Sequence, residues 1–184
     1  DEQGKPQIKK FSRVNIGLAV DVDKGKGQRS LVVPVLRNAD TLDFAGFLLT
    51  YEDIIRKVRA NKLTLDDFQG ANVSLTNPGT IGTQMSVPRL MAGQGLIVGV
   101  GSIDYPAEFQ GSDERALGRL GVSKVVTITS TYDHRIIQGA ESGMFLKYVH
   151  ELLTGEHNFY ADVFSSLGVP YESVKWHYDS NSLD

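Results

Sequence analysis

The sequence predicts an α/β sandwich built on one mixed sheet, and three observations carry that prediction. Apolar runs of strand length alternate with longer amphipathic stretches, glycine- and proline-marked turns separate them, and hairpin-like turns occur beside long connections. The chain has 184 residues, 41% hydrophobic and 22% charged, the balance of one ordinary globular domain with a single sizeable core.

The elements follow in chain order. Residues 1–13 are polar and are expected to form a lead-in or linker. Val14–Val22 (VNIGLAVDV) and Ser30–Leu36 (SLVVPVL) are strands joined by the exposed turn DKGKGQ, residues 23–28. Pro34 removes a ladder donor, which places the second strand at an edge or bulges it. The period then changes. Phe44, Phe47, Leu48, Tyr51, Ile54, Ile55 and Val58 recur at three- and four-residue spacing, predicting a helix over 42–61 with Thr41 as N-cap and Asp43 near its positive end. Asn72–Thr76 is a strand stopped by Asn77-Pro78-Gly79, and Leu96–Val100 and Lys124–Tyr132 are two more. Phe145, Leu146, Val149, Leu152 and Leu153 mark a second amphipathic helix ending at Thr154-Gly155. A short third helix is expected near 158–167, stopped by Gly168, and the tail YESVKWHYDSNSLD is expected to strap the domain or lead onward.

Composition excludes several functions. The formal charge is −3, so no polycation is on offer to a nucleic-acid backbone. No apolar run reaches the roughly 18–20 residues of a membrane helix. With no cysteine there is no disulfide, thiolate metal site or cysteine nucleophile. The opening DEQGKPQIKKFSR has no apolar leader core, which favours a cytoplasmic setting, and the absence of an initiator methionine suggests a piece of something longer.

The glycines of Gly93-Gln94-Gly95-Leu96-Ile97-Val98-Gly99 enter a strand instead of opening a helix, so close backbone packing explains them better than dinucleotide binding. Among the four histidines no pair has HExxH spacing, and no metal site is expected. His150 falls on a polar-leaning helix side, and His157 and His177 are most simply surface residues. His134, in Asp133-His134-Arg135-Ile136-Ile137-Gln138-Gly139, lies at a strand-to-helix junction. Taken alone it is either a structural histidine or a member of a site, because junctions expose side chains at sheet ends. Thr76, taken alone, reads as a strand-end threonine capping the turn after it.

The run STYDHRIIQGA (130–140) followed by Phe145 and Leu146 resembles the DHRxxDG–FL signature of dihydrolipoamide acyltransferases, core components of 2-oxoacid dehydrogenase complexes. NIGLAVDV with SLVVPVLRNAD, and KLTLDDFQGANVSLTNPGTIG (62–82), resemble two further blocks of that family in the same order, covering about residues 15–154. SVPRLMAGQGLIVGVGSIDYPAEFQG (86–111) and YESVKW resemble a narrower group, the acyltransferase domain of the actinobacterial-type multifunctional 2-oxoglutarate dehydrogenase fusion.

The resemblance implies a two-layer sandwich of the chloramphenicol acetyltransferase-like type, with a mixed sheet and helices on one face. The family's first helices and strand are not in this sequence, so the N-terminal part of the domain is expected to be missing. Residues 14–154 would be the catalytic portion, and 155–184 an extension towards a following decarboxylase domain. The implied reaction is succinyl transfer from a dihydrolipoamide thioester to coenzyme A in 2-oxoglutarate oxidation. His134 would take the thiol proton, and Thr76 would donate to the oxyanion across a threefold interface. Asn77 and Gly79 would shape the backbone near the thiol, while Asp133 and Ser130 would hold the histidine turn. The implied partners are two further copies in a homotrimer, a lipoyl-bearing acyltransferase of a pyruvate dehydrogenase-type complex, and the fused decarboxylase. Thiamine diphosphate and Mg would belong only to that decarboxylase.

Gln138 stands where the wider family has aspartate, although the fusion group itself carries glutamine there. An amide can hydrogen-bond but brings no charge. If Gln138 packs partly buried beside His134, Gln138→Asp should cost about 1–3 kcal/mol. Two other functions remain open. One is an idle trimeric scaffold for the decarboxylase, which the glutamine and the missing start favour. The other is a small-molecule acetyltransferase of the chloramphenicol type, which the extension and YPAEFQG argue against.

Overall fold

Strand β1 (Ile16–Asp23) organises the sheet because both of its sides are paired. On one side run β2 (Arg29–Val32) and β3 (Val35–Leu36), both antiparallel to it; on the other lies β4 (Val73–Thr76), parallel to it. The structure is a computed structural model and describes residues 4–172. Pro34 interrupts what would be one edge strand between β2 and β3; it is fully buried, and its carbonyl accepts from Leu18 N–H at 2.8 Å. The expected break at the proline is therefore where the edge strand divides.

Beyond β4 the sheet continues with β5 (Leu96–Val100), parallel, and β6 (Ile128–Tyr132), antiparallel, in the order β2-β1-β4-β5-β6. The register sorts side chains onto two faces. Leu18, Leu75, Val98 and Ser130 share the face covered by helices α1 (Phe44–Arg59) and α3 (Gly139–Leu153). Leu18 and Leu36 pack there with Ile54 and Val58 of α1, so the predicted helical periodicity buries the face it should. Gly17, Ser74, Thr76, Gly99 and Thr129 share the other face. Its residues are small, which lets the extended segment 82–95 lie across it without a helix. Ser74 Oγ meets Gln94 Oε1 there at 2.6 Å, and Thr129 Oγ1 donates to the Ser86 carbonyl at 2.7 Å.

Two sequence expectations are corrected, and one element absent from them appears. The N-cap of α1 is Asp43, whose carboxylate accepts from Gly46 N–H at 2.8 Å, and not Thr41, which lies in a preceding 3-10 turn. Both residue types cap well, and the turn leaves Asp43 the one aimed at the free N–H groups. The strand expected over 124–132 is regular only from Ile128, because Val125 bridges separately to Asp104. The six-residue helix α2 (Glu114–Arg119) has too few apolar positions to show a period, yet Leu117 is 3% exposed. Helix α4 (Phe159–Ser166) packs its phenylalanine side against α1, and Gly168 ends it at φ 67°. The tail beyond Glu172 lies outside the described residues, and His177 with it.

Candidate active site

Thr76 is the last residue of β4, and the turn after it is fixed by its own polar groups. Asn77 Oδ1 accepts from Gly79 N–H at 3.1 Å, and Thr80 Oγ1 donates to the Asn77 carbonyl at 3.2 Å, which winds residues 78–81 into a 3-10 turn. Gly79 is required sterically, since a Cβ there would lie 2.1 Å from the Gly101 carbonyl oxygen. Asn77 and Gly79 therefore fix the backbone of the turn that follows Thr76. The Thr76 hydroxyl has no hydrogen-bond partner among the described residues; its register places it on the face covered by segment 82–95. Thr76 and Asn77 also line a groove of about 700 Å³ between the β1–β2 hairpin and α1. Tyr51 and Arg59 of α1 form its far wall, a role that no motif in the sequence announces; Arg59 makes no ion pair among the described residues.

His134 sits at the other end of the sheet. Asp133 N–H donates to the Gly95 carbonyl at 3.0 Å, the last tie between β6 and β5. The Asp133 carbonyl then accepts from Ile136 and Ile137 N–H, both at 3.0 Å, and closes the turn. Its carboxylate takes Arg135 in a two-pronged pair, Nη2 to Oδ2 at 2.6 Å and Nε to Oδ1 at 2.9 Å. The Arg135 guanidinium and backbone N–H hold this carboxyl down to about 2, well below the usual carboxylate range. Asp133 thus ties Arg135 across the turn that carries His134. His134 is left exposed, its ring 5.5 Å from Tyr132 and without a hydrogen bond among the described residues.

The other two supporting residues act on helix α3. Ser130 Oγ lies 2.6 Å from Ser142 Oγ, so it ties β6 to α3 and not to the histidine turn. Gln138 is the N-cap residue of α3 and is exposed, with its N–H donating to Glu141 Oε2 at 2.6 Å. The expected cost of Gln138→Asp is thereby overturned, because an aspartate at an exposed N-cap is favourable. His150 is exposed, and His157 Nε2 pairs with Glu151 Oε2 at 3.2 Å. Glu151, Glu156 and His157 are close enough to share an ion, but Glu151 is already engaged by Lys147 and His157.

The register sets the distance between the two candidate groups. Thr76 pairs with Gly99, whereas Asp133 is tied to Gly95, four residues of strand away, or roughly 13 Å at strand rise. β5 also stands between their strands. One chain therefore does not bring Thr76 and His134 together. Of the glycines read as packing positions, Gly99 and Gly95 are that: a Cβ would meet Thr129 Oγ1 at 2.7 Å and Ile136 Cδ1 at 3.3 Å respectively. Gly93 is instead a turn residue at φ 80°.

A helix-backed mixed sheet with a DHR turn at one end and a Thr-Asn turn at the other defines a class of acyl-transfer domain. Residues 1–160 match the 2-oxoacid dehydrogenases acyltransferase (catalytic domain) family, and the chain belongs to it. It is 54% identical over 177 residues to the multifunctional 2-oxoglutarate metabolism enzyme of Mycobacterium sp. (strain JLS), covering 96% of this chain and 14% of that protein. It is 53% identical over 176 residues to the 2-oxoglutarate dehydrogenase E1/E2 component of Corynebacterium glutamicum, with the same coverage of 96% and 14%. The chain thus spans about one seventh of the length of these relatives. Among solved structures, the Azotobacter vinelandii dihydrolipoamide acetyltransferase matches at TM-score 0.64 and 29% identity, over 91% of this chain and 61% of that one. A truncated catalytic core of the 2-oxoacid dehydrogenase multienzyme complex from Thermoplasma acidophilum matches at TM-score 0.63 and 28% identity, over 85% and 64%.

Proposed function

We propose that this domain transfers a succinyl group from a dihydrolipoamide thioester to coenzyme A, in a site that Thr76 of one chain and His134 of another complete together. The observation that carries the proposal is the separation of the two residues. They stand at opposite ends of the same sheet, each polar group without a hydrogen bond among the described residues, and a second copy would supply the missing half.

The chemistry balances with these two groups. A thiol with pKa near ~8.5 is mostly protonated at neutral pH, so His134 takes the coenzyme A thiol proton as sulfur attacks the thioester carbonyl. The carbonyl oxygen gains negative charge and accepts a hydrogen bond from the Thr76 hydroxyl. Collapse of the adduct breaks the carbon–sulfur bond to dihydrolipoamide, whose sulfur recovers the proton from the imidazolium. The 700 Å³ groove beside Thr76, with Arg59 in its wall, suits a long substrate carrying anionic groups. Gln138 caps helix α3 four positions beyond His134. The Azotobacter study of catalytic roles names a histidine and an asparagine at that same separation. An amide side chain is therefore compatible with activity there.

The succinyl group follows from the relatives' substrate, since decarboxylation of 2-oxoglutarate leaves a four-carbon acyl group. A lipoyl-bearing acyltransferase would deliver it, and a thiamine diphosphate- and Mg-dependent decarboxylase on the same polypeptide would generate it. We place the assembly as a cytoplasmic homotrimer; no helix among the described residues is long and apolar enough to cross a membrane. The test is complementation. His134→Ala and Thr76→Ala chains, each inactive alone, should recover measurable transfer when refolded together. Failure to recover any activity, with both variants folded and associated, would place the two groups in separate sites.

A further inference from the structure

Ser86 Oγ is the one fully enclosed side-chain polar atom without a hydrogen-bond partner among the described residues. An unmet buried hydroxyl is costly, and in a native fold it calls for an explanation. Its place supplies one. Ser86 Oγ stands 3.0 Å from where a Cβ of Gly99 would be, so it occupies the slot that the glycine leaves open. Gly99 pairs with Thr76 across β4 and β5, and both positions point to the same face. Ser86 thus lies over the strand position that pairs with Thr76, whose own strand is roughly 5 Å away. The third hydroxyl in the slot, Thr129 Oγ1, is already committed to the Ser86 carbonyl.

We propose that Ser86 is a positioning residue for Thr76, donating its hydroxyl proton to Thr76 Oγ1 when substrate is bound. The proposal rests on the acyl-transfer reading above. A hydroxyl has one proton to give. If Thr76 is to aim its proton at the thioester oxygen, a donor to its own oxygen holds it in that orientation. Segment 82–95 would carry this donor as a preset part of the site. Nothing in the local sequence SVPRL marks the serine, because its neighbourhood exists only once the segment lies over β5.

The test is a double-mutant cycle in the full-length protein, measured by coenzyme A-dependent transfer from succinyl-dihydrolipoamide. Ser86→Ala should lower kcat about tenfold with KM changed less than twofold, and should raise the melting temperature because the unpaired hydroxyl is gone. In a Thr76→Ala background the same change should have no further effect on kcat. Unchanged kcat in Ser86→Ala would overturn the role, as would a tenfold loss that persists without the Thr76 hydroxyl. His134→Ala distinguishes the two levels. If it abolishes transfer while Ser86→Ala does nothing, only the positioning role falls. If the wild-type protein shows no transfer, the function and this role fall together.

Discussion

The two ends of the sheet are built on different physical principles. At the Thr76 end, shape decides: Gly79 lies against the Gly101 backbone, a Cβ at Gly101 would lie 1.9 Å from the Gln84 carbonyl, and Gly99 lies under Ser86 and Pro88. At the His134 end, charge decides: the turn is held by the Asp133–Arg135 pair, whose arginine side chain is 88% exposed. A close-packed backbone contact responds little to salt or pH, whereas an exposed ion pair responds to both. In the reaction we propose, the residue that presents a fixed donor sits on the rigid end, and the residue that takes and returns a proton sits on the adjustable one.

Four experiments break or sharpen this contrast, from the largest expected effect downward. His134→Ala should remove acyl transfer by about 10²–10⁴-fold, the range for a general base, while His150→Ala leaves it nearly intact. Equal losses in the two variants would remove His134 from the site. Gly79→Ala should destabilise the protein by about 3 kcal/mol, the upper end for overpacking, because backbone meets the new methyl. Gly118→Ala, in helix α2 with open space around it, should instead stabilise by about 0.5–1 kcal/mol. Chemical denaturation of both variants checks the pair, and a harmless Gly79→Ala would show that the Thr76 end yields.

The third experiment addresses the charged end. The Asp133 carboxyl is held down to about 2 in the fold, below its free value, so the unfolded chain binds the proton first as acid is added. The stabilisation is present above the free carboxylate pKa of about 3.9 and is lost as pH falls from there through about 2. Asp133→Asn should flatten this part of the stability curve, and thermal melts between those limits would show it. An unchanged curve would mean that the ion pair does not hold the turn. The smallest effect is expected for Gln138→Asp. At an exposed N-cap it should change stability by no more than about 0.5 kcal/mol, in the stabilising direction, and transfer by less than tenfold. A gain of tenfold or more, about 1.4 kcal/mol of barrier, would instead support an idle scaffold that had lost its acid.

Local pattern was enough to locate most elements. The period of α1 and the turn signals around Asn77-Pro78-Gly79 depend on neighbours within a few residues, and they appear in the fold where expected. The DHR and Thr-Asn blocks were legible in the same way, as was the break at Pro34. Caps and short elements were less so: Thr41 and Asp43 are equally good capping types, and α2 is too short to show a period.

By itself, then, the sequence determined which residues form strands and helices and which family those blocks resemble, because both depend on short-range order along the chain. Only the tertiary structure decided that Thr76 and His134 lie at opposite ends of one sheet, that Gln138 is an exposed cap, and that Ser86 lies over Gly99. Those facts come from strand order, from parallel pairing of β4 with β5, and from antiparallel pairing of β5 with β6. Pairing joins residues far apart in the chain, and one reversal of strand direction moves a side chain from one end of the sheet to the other.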